Sequence, residues 1–183
     1  MSITIHPNGK IEGLNNNNFR SSMPSGSVIQ VKSASKTDTS IKGNVQSYDI
    51  PGLSVSITPT SASNKIFIIF NLNAQSSGSF GGDVVRLIRD STNICFADTA
   101  GSRIRGSNAV ARHEVGDNYD YAGESIVNSF LDSPGDTNAH TYKLNLYDDS
   151  ANNTVWINRD RDDSDSTGYR RSVSTITVME IAT

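Results

Sequence analysis

Lys65-Ile66-Phe67-Ile68-Ile69-Phe70-Asn71-Leu72 decides the fold class. Read as a strand, it places Ile66, Ile68, Phe70 and Leu72 on one face and Phe67 and Ile69 on the other, because successive side chains point to opposite sides of a sheet. The first set is a core face. The second is apolar where an outer sheet face should be polar. The closing stretch, residues 172–181, repeats the pattern: Ile176 and Val178 share one face, while Val173, Met179 and Ile181 share the other. Such doubly apolar strands are buried on both sides, either by the chain's own long loops or by another subunit. The second reading makes Phe67, Ile69, Val173, Met179 and Ile181 an interface.

Strand, turn and strand alternate on either side of these segments. Residues 27–32 form a first strand with Ile29 and Val31 on one face, and residues 45–48 a short second one. Pro51-Gly52 reads as a turn before residues 53–58, where Leu53, Val55 and Ile57 alternate with Ser54, Ser56 and Thr58. Residues 83–89 and 94–97 flank Asp90-Ser91-Thr92-Asn93, a four-residue hairpin turn by composition. Residues 98–121, with Arg103, Arg105, Arg112, Asp117 and Asp120 among glycines and small residues, read as a long exposed loop. Strand character returns at residues 124–131, and Asp132-Ser133-Pro134-Gly135 is a turn. In residues 140–146, Tyr142, Leu144 and Leu146 oppose Thr141, Lys143 and Asn145. Residues 154–158 form a strand carrying the sole tryptophan, Trp156, and residues 159–171 a polar loop. No window holds apolar residues at helical spacing with caps at both ends. About eight to ten short strands, with turns at intervals of about 8–12 residues, indicate an all-β sandwich or barrel.

The 183 residues suit one domain, and only 35% are hydrophobic, with Ser, Thr, Asn and Gly filling the difference. That composition favours half-exposed strands and many turns. A net charge of −3, from 16 basic and 19 acidic residues, supplies no basic field for a nucleic-acid partner. Cys95 is the only cysteine, which excludes an intrachain disulfide and accords with cytosolic synthesis. The N-terminus lacks the basic start and apolar run of a secretory signal. The longest apolar run, residues 66–70, falls far short of the roughly 20 needed to span a bilayer. Neither membrane nor nucleic acid is an expected partner.

Residues 1–25 stand apart as a short extended arm preceding a domain of residues 26–183. Pro7-Asn8-Gly9 is a turn signal, and residues 15–18 are an asparagine tract. Too short and polar to build a core, the arm has Ile3, Ile5, Ile11, Leu14 and Phe19 to bury when docked on something else.

Chemical motifs are sparse. His6, His113 and His140 are far apart; His113 next to Glu114 reads as a polar loop, with no second His or Cys at metal-ligand spacing. Cys95, between Ile94 and Phe96, reads as a small buried hydrophobe. Asp160, Asp162, Asp163 and Asp165 resemble the carboxylates that gather Ca²⁺, yet the glycine and bidentate glutamate of an EF-hand are missing. Arg159, Arg161, Arg170 and Arg171 stand ready to neutralise them. Ser125 lacks the flanking glycines of a nucleophile elbow. Gly101-Ser102-Arg103-Ile104-Arg105-Gly106 lacks the Lys-Ser/Thr end of a phosphate loop. Tyr119, Tyr121, Trp156 and Tyr169, in or near loops, would stack on sugars or pack beneath the loops. No catalytic, cofactor or metal residue is expected.

Several stretches resemble a recurrent module of bacteriophage virion proteins, especially those of phages with aquatic hosts. These are Tyr48-Asp49-Ile50-Pro51-Gly52-Leu53-Ser54-Val55-Ser56-Ile57-Thr58-Pro59, Ser63-Asn64-Lys65-Ile66, Val85-Arg86-Leu87-Ile88-Arg89-Asp90-Ser91-Thr92 and Ser174-Thr175-Ile176-Thr177-Val178-Met179-Glu180-Ile181. Met23-Pro24-Ser25-Gly26-Ser27-Val28-Ile29-Gln30-Val31 is similar to the way such modules begin after an N-terminal arm. The strand order also resembles the ten-stranded antiparallel jelly-roll β-sandwich of the complement C1q and tumour-necrosis-factor (TNF) type, whose sandwiches pack around a threefold axis. The resemblance implies a homotrimer on the virion: a capsid decoration, cement or head-fibre protein, or the knob of a tail fibre.

Without the heptads or repeats of a fibre shaft, the chain fits the capsid better, docked through its arm on the major capsid protein or another virion protein. The alternative is a tail-fibre knob that reads a host surface glycan through residues 98–121 and 159–171. A depolymerase would need paired carboxylates about 5–10 Å apart in a cleft. The sequence identifies none, and the expected protein is not an enzyme.

Overall fold

The computed structural model describes residues 4–7, 11–12, 23–77, 82–110 and 123–183. Every regular element in them is a strand: β1 (Thr4–Ile5), β2 (Ile11–Glu12), β3 (Val28–Lys36), β4 (Ser40–Lys42), β5 (Ser47–Ile57), β6 (Lys65–Ser76), β7 (Val84–Arg89), β8 (Thr92–Ile94), β9 (Asn108–Ala109), β10 (Glu124–Asp132), β11 (His140–Tyr147), β12 (Val155–Ile157) and β13 (Ser174–Ile181). All their pairings are antiparallel. The all-β reading of the sequence holds.

Strand β6 organises the first sheet. β10 runs along one edge of it, from Asp132 opposite Ile66 to Glu124 opposite Ala74. Along the other edge lie β13, opposite residues 65–71, and then β12, opposite residues 74–76. β3 pairs with β13 and β4 with β12, so each of these two strands carries the sheet one strand further out. Between β12 and β13 the chain makes an excursion closed at its base by the Arg159–Arg171 bridge. Asn158 fixes this crossing. Its φ of 60° is one that asparagine tolerates better than most residues. Its Nδ2 donates to the Lys36 and Asp38 carbonyls, and its Oδ1 accepts from Ser174 Oγ.

The second sheet runs β5-β11-β7-β8, with β9 paired to the start of β7. Both sheets give their alternate residues to one core. Ile66, Ile68, Phe70, Leu72, Ile126, Ile176 and Val178 come from the first; Leu53, Val55, Ile57, Val85, Leu87, Tyr142, Leu144 and Leu146 come from the second.

Three local expectations change. Pro51-Gly52 does not reverse the chain: residues 47–57 form one strand, and the register slips opposite it between Lys143 and Asn145. Gly52, at φ +82°, absorbs the irregularity. The β7–β8 hairpin is tighter than composition suggested, since Arg89 pairs with Thr92 and leaves only Asp90 and Ser91 in the turn. Asp90 takes φ 56° there, and its side chain accepts from the Thr141 N–H. In the arm, Thr4 and Ile5 pair with Glu12 and Ile11, so part of this segment is a two-stranded ladder rather than a single extended run.

Candidate functional site

The outer face of the first sheet gathers the apolar residues that alternation turns away from the core. Across four strands the register aligns Val31, Met179, Phe67 and Leu131 in one row. The next row holds Ser33, Thr177, Ile69 and Ser129, and the one beyond it Ser35, Thr175, Asn71 and Val127. Ile181 stands opposite Lys65 at one end, and Val173 approaches the other, its carbonyl accepting from Asn73 Nδ2 at 2.6 Å. Val31 is 53% exposed, Val127 57%, Leu131 46%, Val173 45% and Ile69 39%, whereas Ile66, Ile68, Ile176 and Val178 on the inner face are fully buried. Phe67, Met179 and Ile181 are half-buried. All twelve positions of the three rows are uncharged.

The outer face of the second sheet differs in kind. Lys143 Nζ meets Asp49 Oδ2 at 2.6 Å, Asn145 Nδ2 donates to Asp49 Oδ1 at 2.8 Å, and Ser56 and Thr141 share a hydrogen bond of 2.8 Å. A polar face needs no cover. The contrast marks the first sheet's face as the one with unfinished burial.

Of the five residues the sequence turned away from the core, the register places Phe67, Ile69, Met179 and Ile181 along this face, and Val173 lies just before the paired stretch. Sequence reasoning missed Val127 and Leu131. In residues 124–131 each face mixes apolar and polar side chains, Ile126, Asn128 and Phe130 against Val127, Ser129 and Leu131, so alternation alone does not orient the strand. Pairing with β6 does, and the pairing of β3 with β13 turns Val31 outward beside Met179. Of the arm residues, Ile3, Leu14 and Phe19 lie outside the described residues, as do the side chains of Ile5 and Ile11.

The remaining candidates have structural employment. His140 is held between Asp90, 2.8 Å from Nδ1, and Asp136, 3.1 Å from Nε2. Cys95 packs half-buried against the core, where burial pushes its thiol up, away from the reactive thiolate. Asp163 pairs with Arg171 at 2.7 Å and Arg159 at 3.3 Å, Asp162 accepts from Tyr169 Oη, and the buried Asp160 accepts from the Arg170 N–H. Ser125 Oγ donates to Asn73 Oδ1, an amide oxygen and not a base. Trp156 is half-buried beneath the Arg161 guanidinium, 5.9 Å from its ring centre. His113, Glu114, Arg112, Asp117, Tyr119, Asp120 and Tyr121 lie outside the described residues.

Lys42 was not foreseen. It is fully buried on a three-residue strand, with Nζ 3.1 Å from Asp83 Oδ1 and 3.5 Å from Asp148 Oδ2. It also donates to the Asn153 carbonyl at 2.9 Å. Asp148 lies below the usual carboxylate range; burial pushes it up, but N–H and O–H groups of Asn153 and Ser150, together with Lys42, outweigh that. Among the described residues no group of three His, Cys, Asp or Glu side chains is placed to hold a metal ion. Among the same residues no helix is long and apolar enough to cross a membrane. No protein-family model matches the chain, and no curated protein matches it.

Proposed function

We propose that this chain is a non-enzymatic structural protein of a bacteriophage virion: a homotrimeric capsid decoration protein of the cement or head-fibre kind, docked through residues 1–25. The outer face of the first sheet, with its exposed apolar side chains set among uncharged polar ones in three central rows, carries the reading. A surface meant for copies of itself must not bring like charges together, and its three central rows have none to bring, Lys65 standing at the end of the face. Partners of another chemistry would be met by complementary charge, and the face offers only packing and hydroxyl groups.

The fold supports a jelly roll of the C1q and TNF type. Four strands in each sheet, β3-β13-β6-β10 and β5-β11-β7-β8, pair with partners distant in the chain except for the β7–β8 hairpin, in keeping with a two-sheet jelly roll. The number three, the virion and the capsid come from the sequence resemblance.

Sedimentation velocity at micromolar concentration tests the assembly: the reading expects a trimer, and a monomer overturns it. Deleting residues 1–22 tests the docking. The truncated chain should still form trimers but no longer join particles, and unchanged incorporation would remove the arm from its role. The tail-fibre alternative, a knob that reads a host glycan, is favoured by one observation, a cationic recess on the opposite side of the molecule.

A further inference from the structure

We infer that the recess formed by Arg86, Phe96, Arg103, Arg105 and Tyr147 binds an acidic sugar, its carboxylate held by the arginines. The site stands whether or not the chain assembles. Arg86 projects from the outer side of β7, and Tyr147 ends β11 beside it. The Arg86 guanidinium lies 3.4 Å from the Tyr147 ring centre and 5.5 Å from that of Phe96, and Arg105 lies 4.4 Å from the Phe96 centre. Rings and cations thus form one column: Tyr147, Arg86, Phe96, Arg105. Arg103, Ser102, Ile104 and Asp149 complete the walls of a recess of about 280 Å³, room for a single pyranose.

Three guanidinium groups line this recess with one carboxylate, Asp149, which accepts from Tyr147 Oη. Among the described residues none of them pairs with a carboxylate, although Arg89, Arg159 and Arg171 elsewhere in the chain all do. Each is instead tethered by one bond to a loop carbonyl: Arg86 Nε to Arg105, Arg105 Nε to Ala97 and Arg103 Nη1 to Ala100. A guanidinium has five N–H donors, so the tethers fix the groups in place and leave most donors free. Burial is the main influence lowering the Arg86 pKa; Tyr147 beside it acts in the opposite direction, and the like charge of Arg105 adds a smaller push downward. The arrangement is unfavourable for an empty site and favourable for one that receives an anion.

The planar fork of arginine matches a carboxylate in a bidentate pair. Asp149 and Ser102 in the same wall would take the hydroxyl groups of a sugar ring, and Ile104 its apolar edge. A nucleic acid would want a basic stripe continuing beyond the recess, and the chain's net charge is −3. The recess opens on the outer side of the second sheet, away from the apolar face, so assembly through that face leaves it free.

Titrating the full-length protein with glucuronate and with polygalacturonate, followed by NMR shifts and calorimetry, tests this. Saturable binding of both, with no response to glucose, is the expected result. Arg103→Gln, at an exposed position, and Arg105→Gln should each weaken binding by about tenfold or more, equivalent to about 1.4 kcal/mol. Arg170→Gln, remote from the recess, should leave it unchanged. Failure of the wild-type protein to bind either acidic ligand overturns the proposal. So does equal affinity in the Arg103 and Arg105 variants, or inorganic phosphate displacing glucuronate at equal concentration. None of these outcomes depends on oligomeric state, so failure here and failure of the trimer are read separately.

Discussion

Met179 and Phe67 stand directly opposite one another on adjacent strands, on the side of the sheet turned away from the core. Their neighbours Val178 and Ile68 form the matching pair on the inner side and are fully buried. The same ladder therefore carries two apolar layers, one finished by the second sheet and one open. Covering a fully exposed side chain of this size gains about 1.5–3 kcal/mol, and the part-covered side chains here, Phe67 and Met179 most of all, gain correspondingly less. The row from Val31 to Leu131 supplies four such side chains across four strands.

Ile69→Lys combined with Leu131→Lys should abolish self-association and leave the monomer folded. Both positions are exposed in the single chain, where substitutions usually change stability by no more than about 0.5 kcal/mol. In a contact between copies, an unpaired ammonium costs several kcal/mol. Sedimentation velocity with a parallel thermal melt checks it. An oligomer of unchanged size in the variant places the contact elsewhere.

Gly106→Ala should destabilise the domain by about 1–3 kcal/mol, the usual range for overpacking. A Cβ there would sit 2.6 Å from Val84 Cβ and 2.7 Å from the Val85 carbonyl oxygen, so backbone must move. Because Gly106 lets the segment carrying Arg103 and Arg105 lie against β7, the same change should weaken binding of acidic sugars. Urea unfolding measures the first effect and calorimetry the second. A variant as stable as the parent would mean that the segment adapts without cost.

How much of this was legible in the chain depends on range. Alternation within Lys65–Ser76 and Ser174–Ile181 oriented both strands correctly, because a period of two is a local property. Pro51-Gly52 misled because those residues serve bulges as well as turns, and only the partner strand distinguishes the two. Lys42 gave no local sign of burial: its neighbours are Ile41 and Gly43, and its counter-charges lie 41 and 106 residues away, at Asp83 and Asp148. The Arg86 column was equally hidden, since Arg86, Phe96, Arg105 and Tyr147 meet only after three strands are in register.

Lys42→Met should cost about 3–5 kcal/mol, because it strands two buried carboxylates. Asp148 keeps the N–H groups of Ser150, Asn152 and Asn153, but Asp83 keeps only the Ser76 hydroxyl. Adding Asp83→Asn should therefore restore at least about 1 kcal/mol, the positive coupling expected of residues in one network. A double-mutant cycle in urea measures it. Simple additivity would show that Lys42 and Asp83 are not energetically linked.

Glu180→Gln should flatten part of the acid limb of the stability curve. Glu180 is fully buried on the core side of β13, where Oε1 accepts from the Thr60 N–H at 2.6 Å, Thr60 Oγ1 at 2.7 Å and Asn64 Nδ2 at 2.7 Å. Oε2 accepts from Gln30 Nε2 at 2.6 Å. Burial pushes the carboxyl up, but donors on Asn64, Thr60 and Gln30 together hold it below its ordinary value. With the folded pKa below the unfolded one, near 4.3, the unfolded chain takes up the proton first as pH falls. The carboxylate's contribution is present in full above about pH 5 and is lost as pH drops through the folded value. A glutamine has one acceptor oxygen, and its NH₂ would face the Gln30 amide, which already donates to the Thr58 carbonyl. The variant should thus be weaker by about 1–3 kcal/mol at neutral pH, with the gap narrowing in acid. Asp49, Asp90 and Asp148, also held below their ordinary values, keep the remaining slope in both proteins. Urea unfolding of the pair between about pH 3 and 7 reads the difference. A gap that stays constant across that range would mean that the hydrogen-bond donors around Glu180 do not favour its charged form.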